Sequence, residues 1–264
     1  MTYQKHCGTK GIAIVREVSE TYPNCSLSYK LREPINVELA RAQHRAYIET
    51  LEQLGLKVSV LRADPRYPDS CFVEDVAVLL EDTAVITWMG QTTRNGEQEA
   101  VANCLAQWTE QVYMMPPAQL EGGDVLKIGK HLFVGESART NRQGVEFLRA
   151  VAEPRGYSVV NMPVRGALHL KSAMTCIEQS TVIAAPEMAE EAKHYMRDFS
   201  IIELPHSCAD AANVLSLRGR LLMSKGFPMV AMELAKRGYA AKELDISEFT
   251  KGEGGLTCLS IIVD

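Results

Sequence analysis

The chain has 264 residues, 46% of them apolar and 23% charged, with a formal net charge of −5. That is an ordinary globular composition with ample material for a core. The acidic balance, with no basic block and no basic patch interleaved with aromatics, argues against nucleic acid as a partner. No run approaches 18 consecutive apolar residues, which argues against a helical membrane span, and Met1-Thr-Tyr-Gln-Lys-His6 lacks the apolar core of a signal peptide. The seven cysteines, at 7, 25, 71, 104, 176, 208 and 258, form no Cys-x-x-Cys pair. Such an odd, scattered set reads as reduced thiols in a cytoplasm.

In chain order the predicted elements repeat one pattern. A strand is expected over 11–15, an irregular stretch over 20–33, a helix over 37–54 and a strand over 57–61. The stretch 20–33 is long enough to read as a mobile lid. Next come strands over 76–80 and 83–87, a helix over 97–108 and a strand over 111–115. The same order returns as 125–128, 132–134, helix 143–152 and 158–162. It returns again as 172–177, 181–185, helix 188–199 and 201–204. A fourth copy reads 214–217, 221–223, helix 228–237 and 240–244. The last strand, 259–263, pairs with 11–15, so the chain ends close the fifth unit. Gly55, Gly156 and Gly238 lie where helices should stop.

A polar motif stands at the mouth of an apolar run in each unit. The instances are Phe72-Val-Glu-Asp-Val, Glu121-Gly-Gly-Asp-Val, Leu168-His-Leu-Lys, Ala211-Ala-Asn-Val and Gly254-Gly-Leu-Thr-Cys. Anchor residues 75, 124, 169, 213 and 258 are 49, 45, 44 and 45 positions apart. A period of that size marks a repeat architecture with one supersecondary unit per period. Such units cannot bury their faces alone, so five ββαβ units should pack around an axis as an α/β fold. No Pro/Gly/Ser-rich linker interrupts them, which reads as a single domain over 1–264.

The repeat delivers carboxylates, an imidazole, an amide and a thiol from equivalent places. Cys258 and His169 each have a plainer reading, as a small buried hydrophobe and a satisfied core histidine. Their shared slot favours a nucleophile–base pair instead. Cys71, Cys104 and Cys176 fit the plainer reading. Asp69 could sit in a solvated turn, and Asp124 could accept backbone N–H groups. Glu74-Asp75, between valines, reads as part of a strand with one carboxylate facing inward. A buried carboxylate needs a cation. No internal Lys or Arg lies obviously opposite, so a cationic ligand is expected. Arg94 and Arg139 stand in polar loops after a strand pair, where surface arginine is the plainer reading. A zinc site built from His169 and Cys258 lacks ligand spacing.

Six segments together resemble a known family. Asp69-Ser-Cys-Phe-Val-Glu-Asp-Val, Glu121-Gly-Gly-Asp, Gly135-Glu-Ser-Ala-Arg-Thr-Asn, Leu168-His-Leu-Lys, Ala211-Ala-Asn and Leu256-Thr-Cys-Leu-Ser are similar, in order and spacing, to dimethylarginine dimethylaminohydrolase of the guanidine-modifying pentein superfamily. The resemblance implies a five-bladed α/β propeller that hydrolyses methylated arginine to citrulline through a covalent thiouronium. It implies Cys258 as nucleophile, His169 as acid/base and Glu121 as the residue orienting that histidine. It further implies Glu74 and Asp75 on the guanidinium, Phe72 in the substrate pocket, Asp69 on the α-amino group, Arg94 and Arg139 on the carboxylate, and Leu27 as the lid leucine. The family needs no metal or organic cofactor, its partner is a small guanidino amino acid, and a homodimer is compatible with it.

The chain departs from the family's usual residues at Thr87-Trp-Met-Gly90, at Arg94-Asn95 and at Gly252-Glu253. These positions bear on fit around the N-methyl groups. Two other classes compete: an arginine deiminase or amidinotransferase of the same superfamily, and a non-catalytic binding propeller. Deiminases usually carry His-x-Asp where this chain has His169-Leu-Lys171, and a binding module has no need of Cys258, His169 and Glu121 together.

Overall fold

The computed structural model describes residues 11–263. Residues 1–10, which hold Cys7 and the segment read as lacking a signal peptide, and residue 264 lie outside the described residues. The described elements begin with β1 (Ile12–Arg16), α1 (Val37–Gln53) and β2 (Lys57–Leu61). The next unit is β3 (Ala77–Leu80), β4 (Thr83–Ile86), α2 (Gln98–Leu105) and β5 (Glu110–Tyr113). It is followed by β6 (Val125–Ile128), β7 (His131–Glu136), α3 (Arg142–Ala152) and β8 (Ser158–Pro163). A short helix α4 (Leu170–Ala173) then leads into β9 (Met174–Glu178), β10 (Thr181–Ala184), α5 (Pro186–Tyr195) and β11 (Ser200–Glu203). Last come β12 (Leu215–Leu217), β13 (Arg220–Ser224), α6 (Pro228–Lys236), β14 (Ala241–Leu244), α7 (Ser247–Lys251) and β15 (Ile261–Val263).

These strands form five three-stranded sheets among the described residues. In each, the middle strand runs antiparallel to one neighbour and parallel to the other, as β4 does between β3 and β5. The antiparallel pair needs only a tight turn, whereas the parallel pair needs a crossover, which the helix supplies. The chain ends close the fifth sheet as the sequence predicts: β1 pairs with β15, Ile12 opposite Val263 and Ile14 opposite Ile261, and with β2 on its other side. The α/β propeller of five ββαβ units is the observed fold. One strand of each sheet (β3, β6, β9, β12 and β15) lines a cavity of about 280 Å³ along the axis.

Local chemistry explains the boundaries. Asn36 caps α1 by accepting from the Leu39 amide at 3.1 Å, and Asn141 caps α3 by accepting from the Gly144 amide at 2.8 Å. Pro186 and Pro228 open α5 and α6, where a missing N–H costs nothing. In α3, Val145, Leu148 and Ala152 share one buried face at helical spacing. Gly55, Gly156 and Gly238 follow helices with φ of 86°, 78° and 88°, a conformation that side chains resist.

Three expectations change. Helix α5 stops at Tyr195 rather than 199, because Met196 leaves helical geometry (φ −120°, ψ 54°) and Phe199 turns edge-on to Phe133. Helix α4 takes in Ser172 and Ala173, read as the start of a strand, so β9 begins at Met174; α7 occupies a stretch to which the sequence assigned no element. The segment 20–33 is not uniformly loose. It holds a 3-10 turn, Tyr22–Asn24, whose buried Tyr22 hydroxyl donates to the Glu248 and Phe249 carbonyls. Beyond it, Tyr29 and Leu31 are exposed. Cys71 and Cys104 pack as buried apolar groups, while Cys176 is half-buried with its thiol on the Glu178 carbonyl.

Candidate active site

What reads in sequence as a motif before each apolar run is, in space, a short helical turn or bend before each axis-lining strand. Val73–Val76, Gly122–Asp124 and Thr257–Leu259 are 3-10 turns; His169 precedes α4, and Asn213 follows the turn His206–Ala212. Polar side chains stitch each turn to the next. Asp75 accepts from the Gly123 amide (3.2 Å), and Asp124 accepts from the Leu170 amide (2.9 Å). Asn213 donates to the Lys171 carbonyl (2.8 Å) and accepts from the Thr257 amide (3.0 Å). The Thr257 hydroxyl donates to Glu74 (2.8 Å), which closes the ring. Asp124 therefore takes its plainer role, as a buried acceptor of backbone and Ser137 hydroxyl hydrogens.

Glu74 and Asp75 correct two expectations. They sit in a 3-10 turn rather than a strand, and each has a cation within the protein. Lys171 lies 2.6 Å from Glu74, and Arg94 lies 2.7 Å from Asp75. Lys171 had no role in the sequence reading because its partner is 97 positions away. Glu74, Lys171 and Thr257 also line the axial cavity.

His169 and Glu121 form a buried pair at 2.7 Å, with Asp75 3.8 Å from the other ring nitrogen. The imidazole packs directly on Gly123. A Cβ there would stand 2.6 Å from its Nδ1 and 2.7 Å from Asp75, so glycine is required. Burial disfavours a charged imidazole, yet Asp75, Asp124 and the bond to Glu121 outweigh it and raise His169 to about 9. Burial also opposes the Glu121 charge, but the bond to His169 and the charges of His169, Arg94 and Arg139 hold Glu121 down at about 2. His169 is thus an imidazolium at neutral pH, a proton donor in place.

That shift predicts how stability depends on pH. The folded imidazole binds its proton up to about 9 and the unfolded one only to 6.5. The stabilisation is complete below pH 6.5 and is lost as pH rises through 9, a swing of up to about 3 kcal/mol. Urea midpoints should fall over this window for the native chain and stay flat for His169→Asn; equal slopes would remove His169 as the cause.

Cys258 precedes the last strand as expected, but it lies in the turn Thr257–Leu259 and β15 begins two residues later than predicted, at Ile261; its thiol accepts from the Gly255 amide at 3.4 Å. Burial, then Glu74 and Asp75, push its thiol up to about 12. Asp75 thus acts on both Cys258 and His169. A thiol among carboxylates stays neutral until a cation enters, and a cationic ligand would favour the thiolate.

The remaining predicted residues surround this centre unequally. Buried Asp69 accepts from the Ser26 amide at 3.1 Å on each oxygen. Phe72 is buried edge-on to Tyr22 and fills the space that a side chain on Gly254 would need. Leu27 is half-buried against the apolar cluster around Tyr22 and Phe249. Arg139 reaches Glu121 at 3.3 Å and donates to the Ser28 hydroxyl at 3.1 Å. Arg94 is neither on the surface nor free to clamp. Its Nε and Nη2 bind Glu97, its Nη1 binds Asp75, and Nη2 also reaches the Asp69 and Phe72 carbonyls. Glu97, unassigned from sequence, was findable as an acid three positions from Arg94.

Asp75, Glu121 and His169 place one ligand atom each within 4.8 Å of one another. Arg94, 3.9 Å from Glu121 as well as beside Asp75, and Arg139 already supply positive charge there, so a divalent cation would meet two guanidiniums.

Comparison with known proteins points the same way as this geometry. Residues 18–259 match the family described as N,N dimethylarginine dimethylhydrolase, eukaryotic. The chain is 39% identical to N(G),N(G)-dimethylarginine dimethylaminohydrolase of Streptomyces coelicolor, over 94% of this chain and 95% of that one. It superposes, with a TM-score of 0.90 and 31% identity, on the Pseudomonas aeruginosa enzyme, solved as a cysteine-to-serine mutant complexed with citrulline; the match covers 95% of this chain and 98% of that one. A histidine-to-glycine dimethylarginine dimethylaminohydrolase, solved as an adduct with S-methyl-L-thiocitrulline, gives a TM-score of 0.91 at 30% identity, covering 96% of this chain and 100% of that one.

Proposed function

The chain belongs to the dimethylarginine dimethylaminohydrolase family, and we propose that it hydrolyses Nω-methylated arginine to citrulline and the corresponding methylamine. It is a hydrolase of guanidino C–N bonds. The observation that carries the residue roles is the 2.7 Å pair of Glu121 with an imidazolium, set beside a carboxylate, Asp75, that also acts on Cys258.

A guanidinium is a poor electrophile because its charge is delocalised. Between Glu74 and Asp75 that charge is held toward the carboxylates and the carbon is fixed for attack. The same cation offsets the two acids that keep Cys258 neutral. As the cation binds, the Cys258 proton is released to solvent; the thiolate forms a C–S bond to the guanidinium carbon, the bond from that carbon to the methylated nitrogen breaks, and His169 gives its proton to the leaving amine. The neutral imidazole then takes a proton from water as the oxygen attacks the thiouronium carbon. The C–S bond breaks, the proton left on that oxygen passes to the departing thiolate, and citrulline leaves with thiol and imidazolium restored. Glu121 holds the imidazole in place throughout. Asp69 suits the α-amino group. Arg139, whose partners are Glu121 and one hydroxyl, suits the α-carboxylate better than Arg94 does. Phe72 and Leu27 would bound the aliphatic stem.

The test is citrulline formation from asymmetric dimethylarginine, monomethylarginine and arginine. We expect citrulline with equimolar dimethylamine or methylamine from the first two, and arginine turned over at least about tenfold more slowly. Turnover of arginine alone would make the protein a deiminase, and no turnover of any would refute the hydrolase reading.

We take 1–264 as one domain of a cytoplasmic enzyme. Ring closure through β1 and β15 supports the single domain, and the free thiols at the six described cysteines support a reducing compartment. Among the described residues no helix is long and apolar enough to cross a membrane. Sedimentation distinguishes a homodimer from the 29.2 kDa chain.

A further inference from the structure

Glu253 has no part in the chemistry above, yet its carboxylate is unusually placed. It accepts from three consecutive backbone amides, Ser28 at 2.9 Å, Tyr29 at 2.6 Å and Lys30 at 2.6 Å. Its own backbone is left-handed, φ 61°, one of three non-glycine residues with positive φ among those described. A glutamate tolerates that conformation only when its surroundings hold it there. The two ends it joins both matter to the site. Glu253 is five residues before Cys258, and the segment it holds carries the groups that complete Asp69 and Arg139, namely the Ser26 amide and the Ser28 hydroxyl. Lys30 adds weaker ties through its Nζ, which lies 2.9 Å from Asp210 and donates to the Thr250 carbonyl at 3.2 Å, but both contacts are exposed. Tyr29 and Leu31 are 59% and 90% exposed, so little apolar packing holds the outer half of the segment.

We propose that Glu253 is a positioning residue, a latch that pins residues 28–30 so that Ser26 and Ser28 stay against Asp69 and Arg139 and the amino-acid end of the substrate finds its site formed. The inference rests on the hydrolase reading for the substrate's identity but not for the latch itself. Three charge-assisted bonds converge on one carboxylate, and the amides they bind belong to successive residues. Loss of the charge therefore frees the whole segment at once. Glu253 does not touch the reacting carbon, so its removal should weaken binding of the substrate and leave the chemical step largely intact.

Glu253→Gly removes the carboxylate and also relieves the left-handed backbone, so it separates latching from folding. We expect KM for asymmetric dimethylarginine to rise about tenfold, kcat to stay within about threefold, and Tm to be unchanged or higher. Tryptic cleavage after Lys30 or Arg32 should accelerate at least about tenfold. Glu253→Gln, which keeps one acceptor oxygen and no charge, should fall between the two in both readouts. Proteolysis needs no substrate, so faster cleavage in a protein that hydrolyses no methylarginine would uphold the latch and sink the function assigned above. Unchanged KM and unchanged cleavage in an active Glu253→Gly enzyme would overturn the latch. So would a loss of kcat accompanied by a lower Tm, which would make Glu253 a structural residue.

Discussion

Cys258→Ser is expected to reduce turnover of methylated arginine by about four orders of magnitude or more, with the fold intact. The loss is large because the site offers a serine nothing to replace the thiolate. The Cys258 sulfur accepts a hydrogen bond from the Gly255 amide, and the neighbouring acids Glu74 and Asp75 discourage ionisation at that position. The thiol already stands at about 12 among those acids. An incoming guanidinium can bring a thiol into range, but a hydroxyl starts several units higher. Folding should be little affected, since serine is nearly isosteric and Gly255 remains as a hydrogen-bond donor; a change within about 1–2 kcal/mol is expected. Steady-state citrulline assays with a thermal melt in parallel decide it. A residual rate within about tenfold of the native enzyme would dismiss Cys258 as the nucleophile.

The repeat was legible in sequence because strands and crossover helices are local features with their own periodicity. Lys57–Leu61 and Val125–Ile128 begin and end where the apolar alternation says, and the pairing of β1 with β15 follows once four complete units leave a fifth in two pieces. The turns were not legible. Phe72-Val-Glu-Asp-Val, two acids set between valines in an apolar stretch, passes for a strand, and nothing in five residues reveals that Asp75 accepts an amide from 48 positions on. The same distance hid the cations. Lys171 looked like a neighbour of His169, not a partner of Glu74. Arg94 looked like a loop arginine because its sequence neighbours Thr93 and Asn95 are polar, although the loop folds back into the interior. Composition names the residue types that meet on the axis, whereas which acid faces which base depends on how five separate turns close on one another.

Arg94→Met should therefore cost about 3–5 kcal/mol of stability, more than any other single change in the ring of turns. Arg94 is 3% exposed, and its guanidinium sits 2.7 Å from Asp75, 2.8 Å from Glu97 and 3.9 Å from Glu121. Removing it strands carboxylates that burial alone would neutralise. Each must then take up a proton or draw water into the core. The sign in pH follows. Stranded acids have raised folded pKa values, so the variant should regain stability as pH falls and lose it as pH rises, measured as urea midpoints at pH 5 and pH 8. Glu97→Gln in the Arg94→Met background should recover part of the loss, because it removes one of the stranded charges. A substrate clamp predicts otherwise. If Arg94 were held open for an α-carboxylate, Arg94→Met would unfold with the native midpoint and raise KM alone, and the ion pairs with Asp75 and Glu97 would carry no weight in folding. A fall in stability with the stated pH dependence places Arg94 beneath the site as the counter-ion that lets Asp75 and Glu121 stay charged beside His169, and kcat should drop with it.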